Sequence, residues 1–341
     1  MTAQLYVSQS IVEPLADYVG ERGLKLGRRL PIARSSGVAL PIQDPKVSAA
    51  KVVTLFEALA HDLKDPAFGL KYAQVFPVGG SGALGFIITQ AQDLRTAVTC
   101  VARYTRIVMP GILIDARAVE GGCDLVWHYP LSLPTPNIQF NSFVAALVVQ
   151  RLRLGLSPDW YPKRVELAHR DPGSPEDYRN VFGPNLRFER ATNKISFIDS
   201  NLDRPYSAAD PRLYKVVTQL GEILLDAQKP ILDFGTEVAN AIVDLLGSSP
   251  PTLKAVANVL GVGERSIQRK LAGAGKSFED VLSDTRRHVA ERLLSETDLS
   301  MTDIAFMLGF SELSAFTRAA KRWHGMSPRQ FRAQCRNTLS S

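Results

Sequence analysis

The chain has 341 residues, 45% hydrophobic and 22% charged, so it is long enough for two hydrophobic cores and too apolar for wholesale disorder. No apolar run approaches the roughly 18 residues that a membrane-spanning helix needs, and the N-terminus lacks an export signal, so we expect a cytoplasmic protein with no membrane partner. Three widely spaced cysteines, Cys100, Cys123 and Cys335, indicate reduced thiols and neither a disulfide framework nor a zinc site.

The first part of the chain mixes helix and strand patterns. Apolar residues at three- and four-residue spacing predict a helix over residues 47–63, which Asp65-Pro66 interrupts. Alternating residues on either side of Gly121-Gly122 predict a β-hairpin with arms Ile112–Val119 and Cys123–Tyr129.

Three further elements complete this part of the chain. A helix is predicted over residues 137–156, with Asn137 or Asn141 as its cap and Gly155 at its end. A second hairpin is predicted over residues 186–198, turning at Thr192-Asn193. A last helix is predicted over residues 210–228, ended by Pro230. We therefore expect a mixed α/β domain over residues 1–230 and a separate domain over residues 231–341.

The positive charge is concentrated at the C-terminal end. Residues 250–341 hold fourteen Lys and Arg against nine Asp and Glu, whereas the rest of the chain holds twenty-six against twenty-five. A local cationic excess suits a polyanionic partner, although basic surfaces also serve solubility alone.

An internal repeat lies within this basic segment. "TLKAVANVLGVGE" from Thr252 and "SMTDIAFMLGFSE" from Ser300 align with a single offset of 48 residues. In each copy a Thr or Ser can cap a helix, apolar residues form one stripe, and a glycine permits the turn that follows. Asp303 lies three residues after Ser300, as in a capping box. The pattern predicts two helix-turn-helix units, near residues 252–272 and 300–323.

The second helix of each unit carries polar and basic residues outside its apolar stripe. Ile267 and Leu271 are expected to be buried in the first, and Ala315, Phe316 and Ala319 in the second. The residue types left outside suit DNA, because Arg and Gln form bidentate contacts with base edges and Lys, Ser and Thr contact phosphates. The candidate DNA-binding residues are Arg265, Ser266, Gln268, Arg269, Glu312, Ser314, Thr317, Arg318, Lys321 and Arg322. Lys321 and Arg322 are expected on phosphates; Arg265, Gln268, Arg269, Ser314, Thr317 and Arg318 are expected on bases.

The last hundred or so residues resemble the DNA-binding domain of AraC/XylS-type transcriptional regulators. Their pattern appears, in order, as Arg286, Ala290, Leu293-Leu294, Ile304-Ala305, Gly309-Phe310, Ser314, Phe316, Arg318, Lys321-Arg322, Gly325, Ser327-Pro328 and Arg332. The resemblance implies an all-α domain with two helix-turn-helix units joined by a central helix. Two residues depart from the pattern: Gly263 replaces a Ser or Thr cap, and Ala320 replaces an aromatic residue.

The N-terminal segment resembles the arabinose-binding-type sensor domain of ornithine-utilisation and virulence regulators. The resemblance rests on "GGSGALGFIITQAQDLRTAVTCVARYTRI" and "FGPNLRFERATNKISFIDSNLDRPYSAADPRL". It implies a domain that binds a small effector, mediates homodimer formation, or does both. By the habit of the family the protein would be an activator, with RNA polymerase as a further partner.

Other motifs are weaker. Gly80-x-Gly82-x-x-Gly85 matches a dinucleotide fingerprint, but no buried strand precedes it and arginines stand where an acidic residue belongs, so a glycine-rich turn into a helix is expected. No metal-ligand pair, cofactor motif or nucleophile elbow is found, so no cofactor and no enzymatic activity are expected. Trp127, Tyr129 and Phe140 are expected in the core, with an effector site as the alternative.

Two other functions stay open beside an effector-responsive, sequence-specific regulator. One is an effector-independent DNA-binding protein whose first domain only dimerises. The other is an enzyme tethered to DNA by its tail, such as an alkyl-transfer repair regulator, which would need clustered cysteines.

Overall fold

The computed structural model describes residues 6–24, 46–129, 133–134, 136–207, 209–228, 234–246 and 249–339, the last four without their side chains. The chain divides into two compact units. The first comprises Met1–Leu167, Asp171–Phe188 and Thr192–Lys229, and the second comprises Pro230–Ser341 with the short segments Ala168–Arg170 and Glu189–Ala191. None of the helices in the described residues is long and apolar enough to span a membrane.

The first unit is a mixed α/β structure. Its strands are β1 Tyr6–Ser8, β2 Lys46–Ser48, β3 Leu113–Val119, β4 Gly122–His128, β5 Arg164–Glu166, β6 Leu186–Arg187 and β7 Asn193–Ile198. Its helices are α1 Glu13–Gly20, α2 Ala49–Asp62, α3 Phe68–Val75, α4 Ala83–Thr89, α5 Leu94–Val108, α6 Ile138–Gly155, α7 Pro175–Phe182, α8 Asp199–Leu202 and α9 Pro211–Asp226. Short 3₁₀ turns occupy Gln9–Ile11 and Val78–Ser81.

The larger sheet has the strand order β3-β4-β7-β5-β6. The predicted hairpin is confirmed as β3 and β4, which pair from Leu113 with His128 to Val119 with Gly122. The turn is one residue earlier than expected, at Glu120-Gly121, because Gly122 is already in the ladder. A β-carbon on Gly122 would lie 1.9 Å from the carbonyl oxygen of Phe197, so the close approach of β7 requires glycine there.

The prediction of a second hairpin over residues 186–198 is wrong. β7 forms and pairs antiparallel with β4 on one side and β5 on the other, which occupies both of its edges. Leu186–Arg187 instead forms β6, which pairs in parallel with β5 at the edge of the sheet. Alternation identified a strand correctly, but it carries no information on which neighbour the strand takes.

Buried aromatic rings join α2, α3 and α6 in the core of the first unit. Phe56 makes edge-on contacts with Phe68, Tyr72, Phe140 and Phe143, at centroid distances of 5.4 to 5.9 Å. The helix expected over residues 47–63 is α2, and the helix expected over residues 210–228 is α9, which ends at Asp226.

α6 begins after Asn137, whose side chain makes no capping hydrogen bond, and ends at Gly155. Asn141 is not a cap but a buried polar link. The indole nitrogen of Trp127 donates to its Oδ1 at 3.1 Å, and its Nδ2 donates to Oδ1 of Asn193 at 2.8 Å. This link ties α6 to β4 and β7, and it places Trp127 in the core, as predicted.

The glycine-rich stretch is a turn into α4, as expected. Gly80 packs under the ring of Phe76, Gly82 has φ +56°, and Gly85 lies against the carbonyl oxygen of Val78. Each glycine has a local steric reason, so the dinucleotide fingerprint has no support from the geometry.

The second unit is helical throughout its described elements. They are α10 Phe234–Leu245, α11 Leu253–Leu260, α12 Glu264–Gly273, α13 Phe278–Glu296, α14 Met301–Met307, α15 Leu313–His324 and α16 Pro328–Leu339.

Replacing Asn141 tests the buried link. Asn141→Ala should lower the free energy of unfolding by about 1 to 3 kcal/mol, because it leaves the indole N–H of Trp127 buried without an acceptor. Asn185→Ala is the matched control, since Asn185 is exposed and donates a single hydrogen bond to the Lys163 carbonyl. Urea unfolding of both variants measures the difference, and equal losses would contradict the role given to Asn141.

Candidate nucleic-acid interface

The first helix-turn-helix unit consists of α11 and α12. The hydroxyl of Thr252 accepts from the amide of Ala255 at 3.2 Å and caps α11. Gly261 ends α11 in the left-handed conformation, with φ +63°, which glycine adopts without strain. Ile267 and Leu271 of α12 are buried as predicted. Gly263 gives α12 no side-chain cap, as its replacement of Ser or Thr implies.

The second helix-turn-helix unit consists of α14 and α15 and repeats this arrangement. The hydroxyl of Ser300 accepts from the amide of Asp303 at 3.1 Å and pairs with the Asp303 carboxylate at 2.6 Å, which makes half of the expected capping box. Gly309 has φ +71° in the turn. Phe316 and Ala319 are buried as predicted, whereas Ala315 is only half-buried.

The central helix α13 begins at a complete capping box that the sequence reading overlooked. The Ser277 hydroxyl accepts from the Asp280 amide at 3.1 Å, and the Asp280 carboxylate accepts from the Ser277 amide at 2.8 Å. The Ser277 hydroxyl also donates to this carboxylate at 2.7 Å, and the hydroxyl and amide of Ser277 together hold the pKa of Asp280 below its usual range. The Ser-x-x-Asp spacing before an apolar run was the available signal.

Arg286, in the middle of α13, holds the second turn. Its Nε donates to the Leu308 carbonyl at 2.8 Å and its Nη2 donates to the Gly309 carbonyl at 2.9 Å. The guanidinium lies over the ring of Phe310, 4.6 Å from the centroid. Burial lowers the pKa of Arg286, and the two carbonyls and the ring face compensate for the lost hydration.

The C-terminal end of α15 is also fixed to α13. The indole nitrogen of Trp323 donates to the Ser283 hydroxyl at 3.1 Å, and Nδ1 of His324 lies 3.7 Å from the Glu291 carboxylate. Arg286 and Trp323 therefore fix the turn and the C-terminal end of the second helix-turn-helix unit to α13.

The outer face of α12 is available to a partner. Arg265, Gln268 and Arg269 are exposed, and Ser266 is half-buried. None of their side chains makes a hydrogen bond or an ion pair among the described residues. Lys270 differs, because its ammonium lies 4.4 Å from the ring centroid of Phe234.

The outer face of α15 is partly organised by its own side chains. Glu312 pairs with the Ser314 hydroxyl and lies 3.6 Å from the Arg318 guanidinium, which also donates to Ser314 at 3.3 Å. Thr317 is half-buried, and its hydroxyl donates to the Leu313 carbonyl at 2.9 Å. Lys321 and Arg322 are exposed on the last turn. The candidate residues thus lie on two corresponding helices of one compact unit.

A repeated helix-turn-helix with cationic outer faces defines a DNA-binding transcription regulator. Residues 256–334 match the model of a helix-turn-helix domain, and residues 27–206 match the arabinose-binding N-terminal domain of AraC transcription regulators. The second match covers more than half of the chain, which therefore belongs to the AraC family of transcription regulators.

Relatives align over most of both chains. The transcriptional regulator VirS of Mycobacterium tuberculosis is 28% identical over 85% of this chain and 86% of its own length. The ornithine utilization regulator of Pseudomonas aeruginosa is 26% identical over 97% of both. The crystal structure of the transcriptional regulator CdpR from Pseudomonas aeruginosa covers 95% of this chain and 98% of its own, with 19% identity and a TM-score of 0.48.

Arg286→Met tests the attachment of the second turn. It removes both donors and leaves the Leu308 and Gly309 carbonyls unpaired, so the free energy of unfolding of the second compact unit should fall by about 1 to 3 kcal/mol. The next residue supplies the control, because in the part of the chain that the structure describes the Arg287 side chain makes a single hydrogen bond, a 3.3 Å pair with the exposed Asp284 worth about 0 to 1 kcal/mol. Thermal unfolding of both variants decides the matter; an Arg286→Met protein as stable as Arg287→Met would exclude the attachment.

Proposed function

We propose that α12 and α15 enter successive major grooves on one face of double-stranded DNA and read its sequence. The observation that carries this proposal is the repetition, in one compact unit, of a capped helix, a left-handed glycine turn and a second helix with an exposed cationic face. Two such units joined by α13 match half-sites about one helical turn apart. On this proposal residues 231–341 form the DNA-binding domain.

The two faces offer different chemistry. Arg269 and Gln268 on α12 have unengaged donors and acceptors for guanine and adenine edges, with Arg265 and Ser266 beside them. On α15 the exposed guanidinium of Arg318 lies 3.6 Å from Glu312, a surface pair weak enough for Arg318 to turn to a base edge. Lys321 and Arg322 on the last turn are placed in the role of phosphate contacts.

Substitutions separate base reading from phosphate binding. Arg269→Ala and Arg318→Ala should each cost roughly 1 to 3 kcal/mol on the cognate site and relax preference at one base pair. Lys321→Ala should weaken binding to every sequence alike. It should also reduce the magnitude of the slope of log K against log salt concentration by about 0.9. Binding to a series of single-base operator variants at several salt concentrations measures both effects.

The control is Lys163→Ala, which removes an exposed lysine of the first unit and should leave DNA binding unchanged. Footprinting of the unmodified protein should show two protected segments about 10 base pairs apart. The same loss across all operator variants for the three test substitutions would refute the assigned roles, and a single protected segment would mean that only one unit docks.

The first unit, residues 1–230 in this proposal, senses an effector and forms a homodimer. The support for the homodimer is an apolar seam on α9, made of Leu213, Val216, Leu220 and Ile223. Leu213 is 39% exposed, Val216 61% and Ile223 55%, while Leu220 is half-buried. Their spacing of three, four and three residues is that of a helix pairing with another helix. A dimer would raise the local concentration of the second DNA-binding domain at a paired operator.

Val216→Asp tests the seam. A carboxylate at the centre of an apolar helix pair would be buried without a partner, so the dissociation constant of the dimer should rise at least about tenfold. Lys215→Asn makes the same change in charge on the neighbouring, exposed position of α9 and should leave self-association intact. Sedimentation equilibrium over a range of concentrations gives the constants; a monomeric wild-type protein, or a dimer indifferent to Val216→Asp, would rule out this seam.

The proposal also includes activation of transcription, with RNA polymerase as a partner. The protein would act in the cytoplasm, since a bacterial-type regulator must reach both the operator and the polymerase. Activation stays a prediction from the habit of the family. Reporter transcription from a cognate promoter, with and without the protein, gives the sign directly.

The enzyme alternative finds no support in the thiols. Burial raises the pKa of Cys100, Cys123 and Cys335, whereas an alkyl-accepting cysteine needs a lowered pKa. The described residues hold no group of three His, Cys, Asp or Glu side chains arranged to bind a metal. The effector-independent alternative predicts DNA binding that no small molecule alters.

A further inference from the structure

The first unit contains an apolar cavity of about 60 Å³ between α4, α5 and α6. The N-terminal segment closes one side through Val7 and Ile11, and the remaining walls are almost entirely aliphatic and aromatic. A water needs roughly 10 to 15 Å³ of such space, so the cavity holds about four to six groups of that size. Val144, Leu147 and Val148 in its wall are half-buried, so the cavity reaches towards the surface of α6. Phe140 lines it, whereas Trp127 and Tyr129 are not among its lining residues.

The one charged group in the lining is Arg151, on the last turns of α6. Arg151 is only 3% exposed, and it forms no ion pair with any acidic side chain in the part of the chain that the structure describes. Burial lowers the pKa of its guanidinium to about 10, so it stays charged at neutral pH. Two carbonyls and the ring of Phe76, whose centroid lies 6.0 Å from the guanidinium carbon, replace part of its lost hydration, but they supply no counter-charge.

The hydrogen bonds of Arg151 leave part of its guanidinium unused. Nη2 donates to two carbonyls, those of Phe76 at 2.8 Å and Pro77 at 2.7 Å. The Nε atom is buried and has no hydrogen-bond partner. Nη1 makes no hydrogen bond among the described residues either. Both two-donor edges of a guanidinium include Nη2, which is already engaged, so an anion would meet the buried Nε–H through a single hydrogen bond.

Arg153, two residues further on the same helix, is an instructive contrast. It also donates to carbonyls, but it uses Nε for Trp160 at 2.8 Å and Nη2 for Val181, and it lies over the ring of Tyr161. Arg153 does not line the cavity. The Nε of Arg153 therefore binds a backbone carbonyl, whereas the Nε of Arg151 is buried without a hydrogen-bond partner.

A second polar side chain in the lining is Ser81. It is 2% exposed, and no hydrogen bond of its hydroxyl appears among the described residues. Ser81 belongs to the 3₁₀ turn that follows Pro77, and Arg151 donates to the Pro77 carbonyl, so the two residues are linked through this turn. Thr105 also lines the cavity, but its hydroxyl is engaged by the Val101 carbonyl, and aliphatic and aromatic side chains form the rest of the wall.

We propose that this cavity binds the effector, and that the effector is a monocarboxylate with a short, unbranched apolar chain, its carboxylate on Arg151 and Ser81. The chain would lie along α4, α5 and α6, with its far end at the half-buried residues of α6. This proposal rests on the proposed sensing role of the first unit and specifies its ligand. A sugar or a zwitterionic amino acid fits poorly, because the aliphatic wall offers few groups for its hydroxyls or ammonium.

Calorimetric titration of the full-length protein tests the ligand class, with butanoate, 1-butanol and butylamine as probes of equal chain length that match the size of the cavity. Butanoate should bind with one site per chain and at least about tenfold more tightly than 1-butanol, and butylamine should bind least tightly. Arg151→Met should reduce butanoate to the affinity of 1-butanol and leave 1-butanol itself unchanged. Arg153→Met is the matched control and should preserve the preference for the carboxylate.

A further variant guards against misfolding of Arg151→Met. Val144→Phe fills the cavity and keeps the guanidinium, so it should abolish binding of both butanoate and 1-butanol. Equal affinity for butanoate and 1-butanol, absence of saturable butanoate binding, or unchanged binding by Val144→Phe would each overturn the proposal. DNA binding is measured on the same preparations to separate this proposal from the proposed function. A protein that binds DNA but not butanoate rejects the ligand class alone, and a protein that does not bind DNA rejects the proposed function.

Discussion

The arrangement of the DNA-binding unit depends on one half-buried guanidinium. Arg286 projects from α13 to carbonyls 22 and 23 residues further along the chain, and its face covers Phe310. The turn it holds is compact, because a β-carbon on Gly309 would lie 3.3 Å from that guanidinium and 3.1 Å from Cδ of Pro251. Pro251 directly precedes the cap of α11, so the start of the first unit and the turn of the second meet at the same place. Burying an arginine is unfavourable unless its donors are satisfied, which makes this geometry specific.

The two helices proposed to read DNA, α12 and α15, use few of their residues for packing. Each is held by few side chains, Ile267 and Leu271 on α12 and Phe316 with two alanines on α15. Ala320 is buried where the family pattern has an aromatic residue, and Phe310, Phe316 and Trp323 fill the neighbouring volume with ring centroids 5.9 and 6.3 Å apart. Because so little of either helix is needed for the core, the exposed polar positions can change with the DNA site at small cost to stability.

Local patterns predicted the elements of this protein better than their partners. The offset of 48 residues identified both helix pairs, since caps, stripe and glycine must recur together in each copy. The hairpin at Gly121 followed from alternation and a glycine, but the same reasoning failed for β7, because a strand pattern does not reveal that both edges are taken. The pairing of Glu312 with Arg318, and the unused Nε of Arg151, depend on side-chain positions in the folded chain. No spacing rule in the sequence contains them.

The two proposed roles of the first unit share one layer of helices. α4 and α5 line the cavity through Ile88, Val101 and Thr105, and they also pack against α9, which carries the apolar seam. That packing is close, because a β-carbon on Gly221 of α9 would lie 2.8 Å from Ile87 and 2.9 Å from Tyr104. Arg103 and Tyr104 further join α5 to α9 through Glu222, since both donate to its carboxylate and lower its pKa to about 2. A ligand that shifts α4 or α5 must therefore shift α9 or strain these contacts. If the ligand changes the affinity of α9 for its partner helix, linkage requires that pairing of α9 change the affinity for the ligand by the same factor.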